Sequence, residues 1–277
     1  MNKGIKHIIY SLLIIFSFIL VGCNKPKEVI NTSEAESYNI VHKGYVGKCV
    51  VKVENDKVKS ASYDEAFLPH TWANIELEEN QEIDNNVIEI ESNGNKSYYA
   101  KYISIDSKIF EGKIREEELV LDNVTYSQQK INYGNSEIPD LFRYLYNSDS
   151  HCEWYFKNVL GNKVFMCDKD GKRLENYKSK NTYGSFKSEG KYWNDKNVWP
   201  IGWEGNLKAL EQYMVGKKLV KLDESSFKKE NNGTTIDNYT YNYWTIDGVK
   251  TGVTMVDIYD YYNLALSAYN KAIQMNK

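Results

Sequence analysis

The C-terminal stretch, residues 257–274, constrains the fold most, because its apolar side chains recur at three- and four-residue spacing. The stripe consists of Ile258, Tyr261, Tyr262, Ala265, Ala268, Tyr269 and Ala272. This period is typical of a helix with one face against a core. Thr254 and Asp257 are spaced as in a capping box, which predicts that the helix begins there.

A Gly- and Thr-rich turn precedes this helix. Such a turn at a helix N-terminus presents backbone N–H groups, hydroxyls and a partial positive charge to an anion. We predict unpaired N–H groups and an anion site here, and the alternative is a capped helix after an ordinary turn. The predicted site residues are Lys250, Thr251, Gly252, Val253 and Thr254.

The N-terminus has the pattern of an export signal. Lys3 and Lys6 precede an apolar run over residues 8–21, which is short for a membrane span. Residues 20–23, Leu-Val-Gly-Cys, resemble the lipobox of bacterial lipoproteins, in which the cysteine is lipidated. We therefore expect residues 1–22 to be a signal peptide and Cys23 to anchor the protein in the membrane. The alternative is an uncleaved N-terminal anchor, and both place the remainder outside the cytoplasm.

The charge of the mature chain argues against nucleic acid as a partner. Removal of residues 1–22 takes away two lysines and leaves 33 basic and 38 acidic residues, a net charge of −5. No basic patch stands out along the sequence. The remaining 255 residues are enough to bury a full core.

Alternating β-type patterns dominate the first half of the mature chain. Residues 23–38 are polar and predict a tether, after which one α+β domain spans residues 39–277. Its predicted strands are residues 38–54, 58–63, 87–91, 97–105 and 119–126. We therefore expect an antiparallel sheet that starts with an N-terminal hairpin.

Helical periodicity returns in the second half. Helices are predicted near residues 141–145 and over 204–215, and residues 152–159 fit either a helix or a strand. Further strands are predicted over residues 163–167, 218–222 and 239–246. Residues 172–197 are polar, rich in tyrosine and without a period, which predicts an irregular insertion.

Two regions together resemble the FMN-binding domain family, which includes the C subunit of sodium-pumping NADH:quinone reductases and the G subunit of Rnf complexes. The first, residues 44–58, has a Gly-Tyr segment, a Val-rich strand and a turn. The second is Thr251-Gly252-Val253-Thr254 with its helix, which is similar to the family's Ser/Thr-Gly-Ala-Thr motif. The resemblance covers some fifty residues, and residues 64–200 resemble no family known to us.

The resemblance implies FMN as a cofactor, with its phosphate at the Gly/Thr turn. In covalent members the last threonine of the motif carries FMN, and that position is Thr254 here. Val253 replaces the family's alanine and Lys250 is an extra residue, so we expect non-covalent binding. Trp199, Trp203 and Trp244 could form the wall for the flavin ring, or belong to the core.

The cysteines and histidines indicate no metal site. Cys152 and Cys167 could form a disulfide outside the cytoplasm, which would leave Cys49 as a buried thiol. The histidines are scattered without ligand spacing. Asp64, Glu65 and His70 could be acid/base groups, but a solvated loop is the favoured interpretation.

The sequence thus predicts a membrane-anchored, extracytoplasmic lipoprotein. By resemblance it would bind FMN and carry electrons or sense redox state with partner proteins, and not act as a stand-alone enzyme. The alternative is a cofactor-free surface lipoprotein that binds a partner or small ligand through the same fold.

Overall fold

The first three strands form an antiparallel sheet, and helices pack against both of its faces. The computed structural model describes residues 30–92, 94–114, 124–128, 138, 140–199, 201–230, 234–236 and 239–276. Cys23, the signal sequence, the start of the tether and residues 119–123 lie outside the described residues. The predicted α+β class with an N-terminal hairpin is confirmed.

The first three strands pair in chain order. They are β1 (Thr32–Val41), β2 (Tyr45–Glu54) and β3 (Lys57–Phe67). In the β1–β2 pairing Val41 lies opposite Tyr45, and in the β2–β3 pairing Glu54 lies opposite Lys57. Alternate side chains therefore point to opposite faces, and each face supports its own core.

The first core lies between this sheet and two helices. Cys49, Val51 and Val53 of β2 are fully buried there. The helices are α4 (Gly202–Met214) and α5 (Ile258–Met275). Both predicted helices are confirmed. The apolar stripe of α5 is buried against β1 and β2, as its period requires.

The second core lies on the opposite face and includes Tyr38, Ile40 and Val46. Its helices are α1 (Pro69–Trp72), α2 (Leu141–Tyr146) and α3 (Asp149–Leu160). Residues 152–159 are therefore helical. Two further four-stranded sheets lie here. In the first, the strand order is β10 (Val164–Cys167), β7 (Tyr102–Ile105), β8 (Lys108–Ile114) and β9 (Val124–Gln128). In the second, it is β11 (Lys178–Ser179), β4 (Asn74–Glu76), β6 (Asn95–Ala100) and β5 (Val87–Ser92).

Short strands lead to the C-terminal helix. They are β12 (Phe227–Lys229), β13 (Thr234–Ile236), β14 (Tyr239–Tyr241), β15 (Trp244–Ile246) and β16 (Val249–Lys250). Strand β14 pairs with β13, whereas β15 pairs with β12 and β16. The single strand predicted over residues 239–246 is thus two strands in two sheets.

The strands predicted over residues 38–54 and 97–105 are each two strands, β1 with β2 and β6 with β7. Two other sequence-based boundaries were also wrong. Strand β1 begins at Thr32, inside the predicted tether, because its hydroxyls bond to the last helix: Ser33 Oγ donates to the Ala272 carbonyl (2.8 Å) and Ser37 Oγ to the Leu264 carbonyl (2.6 Å). Residues 218–222 are irregular and not a strand, because Leu219 fills the first core from a loop.

The predicted disulfide is also wrong. Cys49, Cys152 and Cys167 are all free and buried. Cys152 lies in α3, where its thiol donates to the carbonyl of Leu145 (3.1 Å), while Cys167 ends strand β10. The short sequence separation of the two cysteines suggested a bond, but they lie in a helix and a strand and are not bonded to each other.

Candidate functional site: a tryptophan-lined cavity

A cavity of about 370 Å³ opens where the predicted irregular insertion meets α4 and the Gly/Thr turn. Sites for small molecules typically have roughly 300–1,000 Å³. Its lining comprises His42, Lys187, Trp193, Trp199, Ile201, Gly202, Trp203, Asn206, Tyr241, Thr254, Met255, Val256 and Tyr261. We call this space the tryptophan cavity. It reaches the surface, since Trp199 is 43% and Val256 51% exposed.

The insertion forms one wall. It is irregular, as predicted, apart from β11 and a 3₁₀ turn at Tyr192–Asn194. The rings of Trp193 and Trp199 lie nearly parallel, with centroids 6.1 Å apart and an angle of 21° between their planes. Asn194 Oδ1 accepts a hydrogen bond from the Glu204 N–H (2.9 Å), which ties this wall to the first turn of α4.

A buried carboxylate, that of Glu65, accepts hydrogen bonds from three residues that line the cavity. Glu65 is fully buried at the end of β3. Its Oε1 accepts from Trp203 Nε1 (2.6 Å) and from the Tyr261 hydroxyl (2.7 Å). Its Oε2 accepts from Lys187 Nζ (3.0 Å). The solvated loop predicted around Glu65 is therefore wrong.

The backbone places Lys187 beside Glu65. The Lys187 N–H donates to the Glu65 carbonyl (2.9 Å), and Ala66 and Phe186 form an antiparallel bridge. The insertion thus runs as a short extension along β3. A buried ion pair is tolerated when its hydrogen bonds are satisfied, and this one joins the insertion to the sheet.

Aromatic rings surround the Lys187 ammonium. Its Nζ lies 4.3 Å from the ring centroid of Tyr45, 4.7 Å from Trp193 and 6.0 Å from Trp203. The negative faces of such rings attract a cation. Burial, and next the Glu65 charge, raises the pKa of Tyr261 well above its ordinary value, so this hydroxyl stays a donor.

The Gly/Thr turn is bonded to the strand before it. Thr251 Oγ1 donates to the Trp244 carbonyl (2.8 Å) and accepts from the Val253 N–H (3.1 Å). The Trp244 N–H donates to the Val253 carbonyl (2.8 Å). Thr251 and Val253 are consequently buried.

Asn206 of α4 caps the rest of the turn. Its Oδ1 accepts hydrogen bonds from the N–H groups of Thr254 (2.6 Å) and Met255 (3.1 Å) and from the Thr254 hydroxyl (3.2 Å). The prediction of unpaired N–H groups at this turn is therefore wrong for Val253, Thr254 and Met255. Only the folded chain brings Asn206 to them.

The helix also begins later than the capping box implied. Helix α5 starts at Ile258, after Asp257 in a left-handed conformation (φ 58°) without a side-chain cap. The Asp257 carboxylate instead contacts the His42 ring, and Asp260 accepts from the His42 N–H (3.1 Å). Burial raises the pKa of Asp260, and this outweighs the hydrogen bond from His42, which lowers it.

The predicted site residues separate in space. Thr254 lines the tryptophan cavity, as do Trp199 and Trp203 of the predicted ring wall. Lys250 is exposed, with its ammonium 4.3 Å from the Tyr243 ring centroid. Trp244 packs in the first core and donates from Nε1 to the Met255 carbonyl (2.6 Å).

Among the residues that form the site, the sequence analysis did not single out Lys187, Trp193 and Asn206, and it considered Glu65 only as a possible acid/base group. One signal could have pointed to Trp193. It lies with Tyr192 and Trp199 in a polar segment without apolar period, where aromatic residues have no helix or strand face to fill. Glu65, Lys187 and Asn206 carry no comparable pattern.

The described residues contain no cluster of histidine, cysteine, aspartate or glutamate that could hold a metal ion. Within the same residues, every helix is too short or too polar to cross a membrane. No family model, curated protein or solved structure matches this chain. The likeness to the FMN-binding family therefore stays a prediction from the sequence motifs.

Proposed function

We propose that this protein is a lipid-anchored, extracytoplasmic binding protein whose tryptophan cavity holds a flat aromatic ligand. The arrangement of Trp193, Trp199 and Trp203 around one surface-reaching space of about 370 Å³ carries this proposal. Indole faces stack on planar rings, and each such stack contributes roughly 1–3 kcal/mol. An aliphatic ligand has no planar ring and would not gain this stacking energy.

The polar groups at the cavity narrow the ligand class. An ammonium has three N–H bonds, and Lys187 directs one of them to Glu65. Lys187 and the Thr254 hydroxyl both line a space that is otherwise largely aromatic or apolar. A few polar groups in an apolar site typically fix the orientation of a ligand. A heteroaromatic ring with carbonyl or nitrogen acceptors therefore suits the cavity best.

Flavin is the second, more specific candidate. Thr254 lies beside the tryptophan wall, which supports a ring of this kind next to the family-like motif. The volume of the cavity lies in the usual range for small-molecule sites, but the N–H groups expected to hold the phosphate are bonded to Thr251 and Asn206. A bound flavin would supply electron-transfer chemistry, and the protein would then act as a carrier or redox sensor for partner proteins.

Ligand binding to the full-length protein, extracted from membranes in detergent, tests the proposal. We expect riboflavin or lumichrome to quench the tryptophan fluorescence in a saturable titration. Trp199→Ala should weaken binding about tenfold, because it removes one stacking face. The control is Tyr146→Ala, since Tyr146 is 69% exposed and does not line the cavity.

Two results would contradict the proposal. One is a parent protein that binds neither probe and copurifies with no ultraviolet-absorbing ligand. The other is a Trp199→Ala variant that binds as tightly as the parent.

A further inference from the structure

Asn206 lies between the tryptophan cavity and the Gly/Thr turn. It is only 6% exposed, and its Nδ2 donates to the Gly202 carbonyl one helical turn earlier (2.7 Å). This bond fixes which end of the amide faces the turn. The carbonyl end, Oδ1, then accepts from the N–H groups of Thr254 and Met255 and from the Thr254 hydroxyl.

Oδ1 occupies the place that an anion would need. Phosphate groups bind at such turns by accepting hydrogen bonds from successive backbone N–H groups. Here two successive N–H groups converge on one amide oxygen at 2.6 and 3.1 Å. The N–H before them, of Val253, is held by Thr251 Oγ1 at 3.1 Å. A phosphate would have to displace a buried side chain to reach them.

Charge alone does not decide whether the turn binds an anion, because charges of both signs lie near it. The Lys229 ammonium donates to the Thr254 carbonyl (3.2 Å), whereas Asp257 and Asp260 lie at the start of α5. Exclusion of an anion therefore depends on the occupied N–H groups. Two side chains occupy them: Asn206 accepts from Thr254 and Met255, and Thr251 accepts from Val253.

We propose that Asn206 is a specificity-determining residue that takes the position of a phosphate oxygen, so that a phosphate group on an aromatic ligand adds no affinity at this turn. The inference rests on the proposed binding function. It predicts that the site recognises the ring of the ligand and not a phosphate group. Removal of the Asn206 side chain would open the N–H groups to an anion.

A pair of ligands that differ only in the phosphate tests this. We expect the parent protein to bind riboflavin and FMN with Kd values within about threefold of each other. Asn206→Ala should prefer FMN by about tenfold, because the phosphate gains hydrogen bonds to the turn. Asn158→Ala is a matched control: Asn158 is also 6% exposed, and its Nδ2 also donates to a carbonyl one helical turn earlier, that of Trp154 (2.9 Å).

Inorganic phosphate gives a second measurement that needs no ring binding. Phosphate at matched ionic strength should leave the thermal midpoint of the parent and of Asn158→Ala unchanged, and raise that of Asn206→Ala. The proposal is overturned if the parent prefers FMN tenfold or is stabilised by phosphate, or if a folded Asn206→Ala variant gains neither property. Should Asn206→Ala not fold, the two measurements on the parent decide. A parent that binds neither flavin contradicts the proposed function, and the phosphate measurement still decides the role of Asn206.

Discussion

The ammonium of Lys187 lies 3.0 Å from the carboxylate of Glu65, although 122 residues separate them in the chain. Both side chains are buried, at 7% and 0% exposure. The pair joins the irregular insertion to the end of strand β3, and its Lys187 lines the tryptophan cavity. The insertion is therefore part of the folded core and not an appendage to it.

Breaking this pair should be costly. Lys187→Met leaves the Glu65 carboxylate buried without its cation, and we expect the free energy of unfolding to fall by about 3–5 kcal/mol. Urea denaturation measures this. The matched control is Lys178→Met, since the Lys178–Glu78 pair is exposed on both sides and its loss should leave the urea midpoint unchanged. Equal midpoints for Lys187→Met and the parent would rule out the structural role of the pair.

Alkaline pH should weaken the fold through Tyr45. Burial, and next the Glu65 charge, raises the pKa of Tyr45 to about 12. The unfolded chain loses this proton near pH 10, so the stabilising effect of the folded-state shift is complete below pH 10 and is lost as pH rises toward 12. The urea midpoint should fall over this window, and less steeply in Tyr45→Phe. Identical slopes for Tyr45→Phe and the parent would contradict this.

Replacement of Gly47 by alanine should lower the stability of the protein, because there is no space for a methyl group. A Cβ there would lie 2.9 Å from both Cγ atoms of Val41 and 3.0 Å from Leu264 Cδ2, where α5 crosses the sheet. We expect Gly47→Ala to destabilise the protein by about 1–3 kcal/mol. Gly44→Ala is the control, because its Cβ would meet only ordinary contacts at 3.7–3.8 Å. Chemical denaturation of the two variants should separate them, and equal stability would contradict this packing.

The cysteines should be unreactive until the protein unfolds. Burial, and next a neighbouring aspartate, raises the pKa of the Cys152 and Cys167 thiols to about 12. A thiol reagent at pH 8 should therefore leave Cys49, Cys152 and Cys167 unmodified in the native protein and titrate all three in urea without reductant. If only one of the three thiols reacts in urea, the other two form a disulfide and the prediction is wrong.

The proposed lipid anchor can be tested by replacing one atom, the sulfur of Cys23. Cys23→Ser removes the sulfur that the lipobox pattern assigns to lipidation, so the variant should incorporate no fatty-acid analogue. It should also appear as an unprocessed or released protein in cell fractionation. A labelled variant would show that the lipid is attached elsewhere, and an unlabelled variant that stays in the membrane would indicate that residues 8–21 anchor the chain by themselves.

The sequence by itself determined the local elements. The stripe of α5, the helix α4 and the strands β2 and β3 follow from periodicity, because each buries one face whose spacing the chain displays. The Gly/Thr turn was also found from sequence, and it does lie beside the cavity. The prediction that its N–H groups are unpaired was wrong for Val253, Thr254 and Met255, because the partners of these groups are known only once the rest of the chain is in place.

The tertiary structure alone decided the site. Asn206 reaches the turn from a helix some fifty residues earlier, and Lys187 meets Glu65 across 122 residues. Such pairings leave no period and no spacing rule in the sequence, because neither partner's local conformation depends on the other. The tertiary structure also placed an irregular segment as a wall of the cavity. Its contacts with Glu65 and with the start of α4 hold it there, and Trp193 then lies nearly parallel to Trp199.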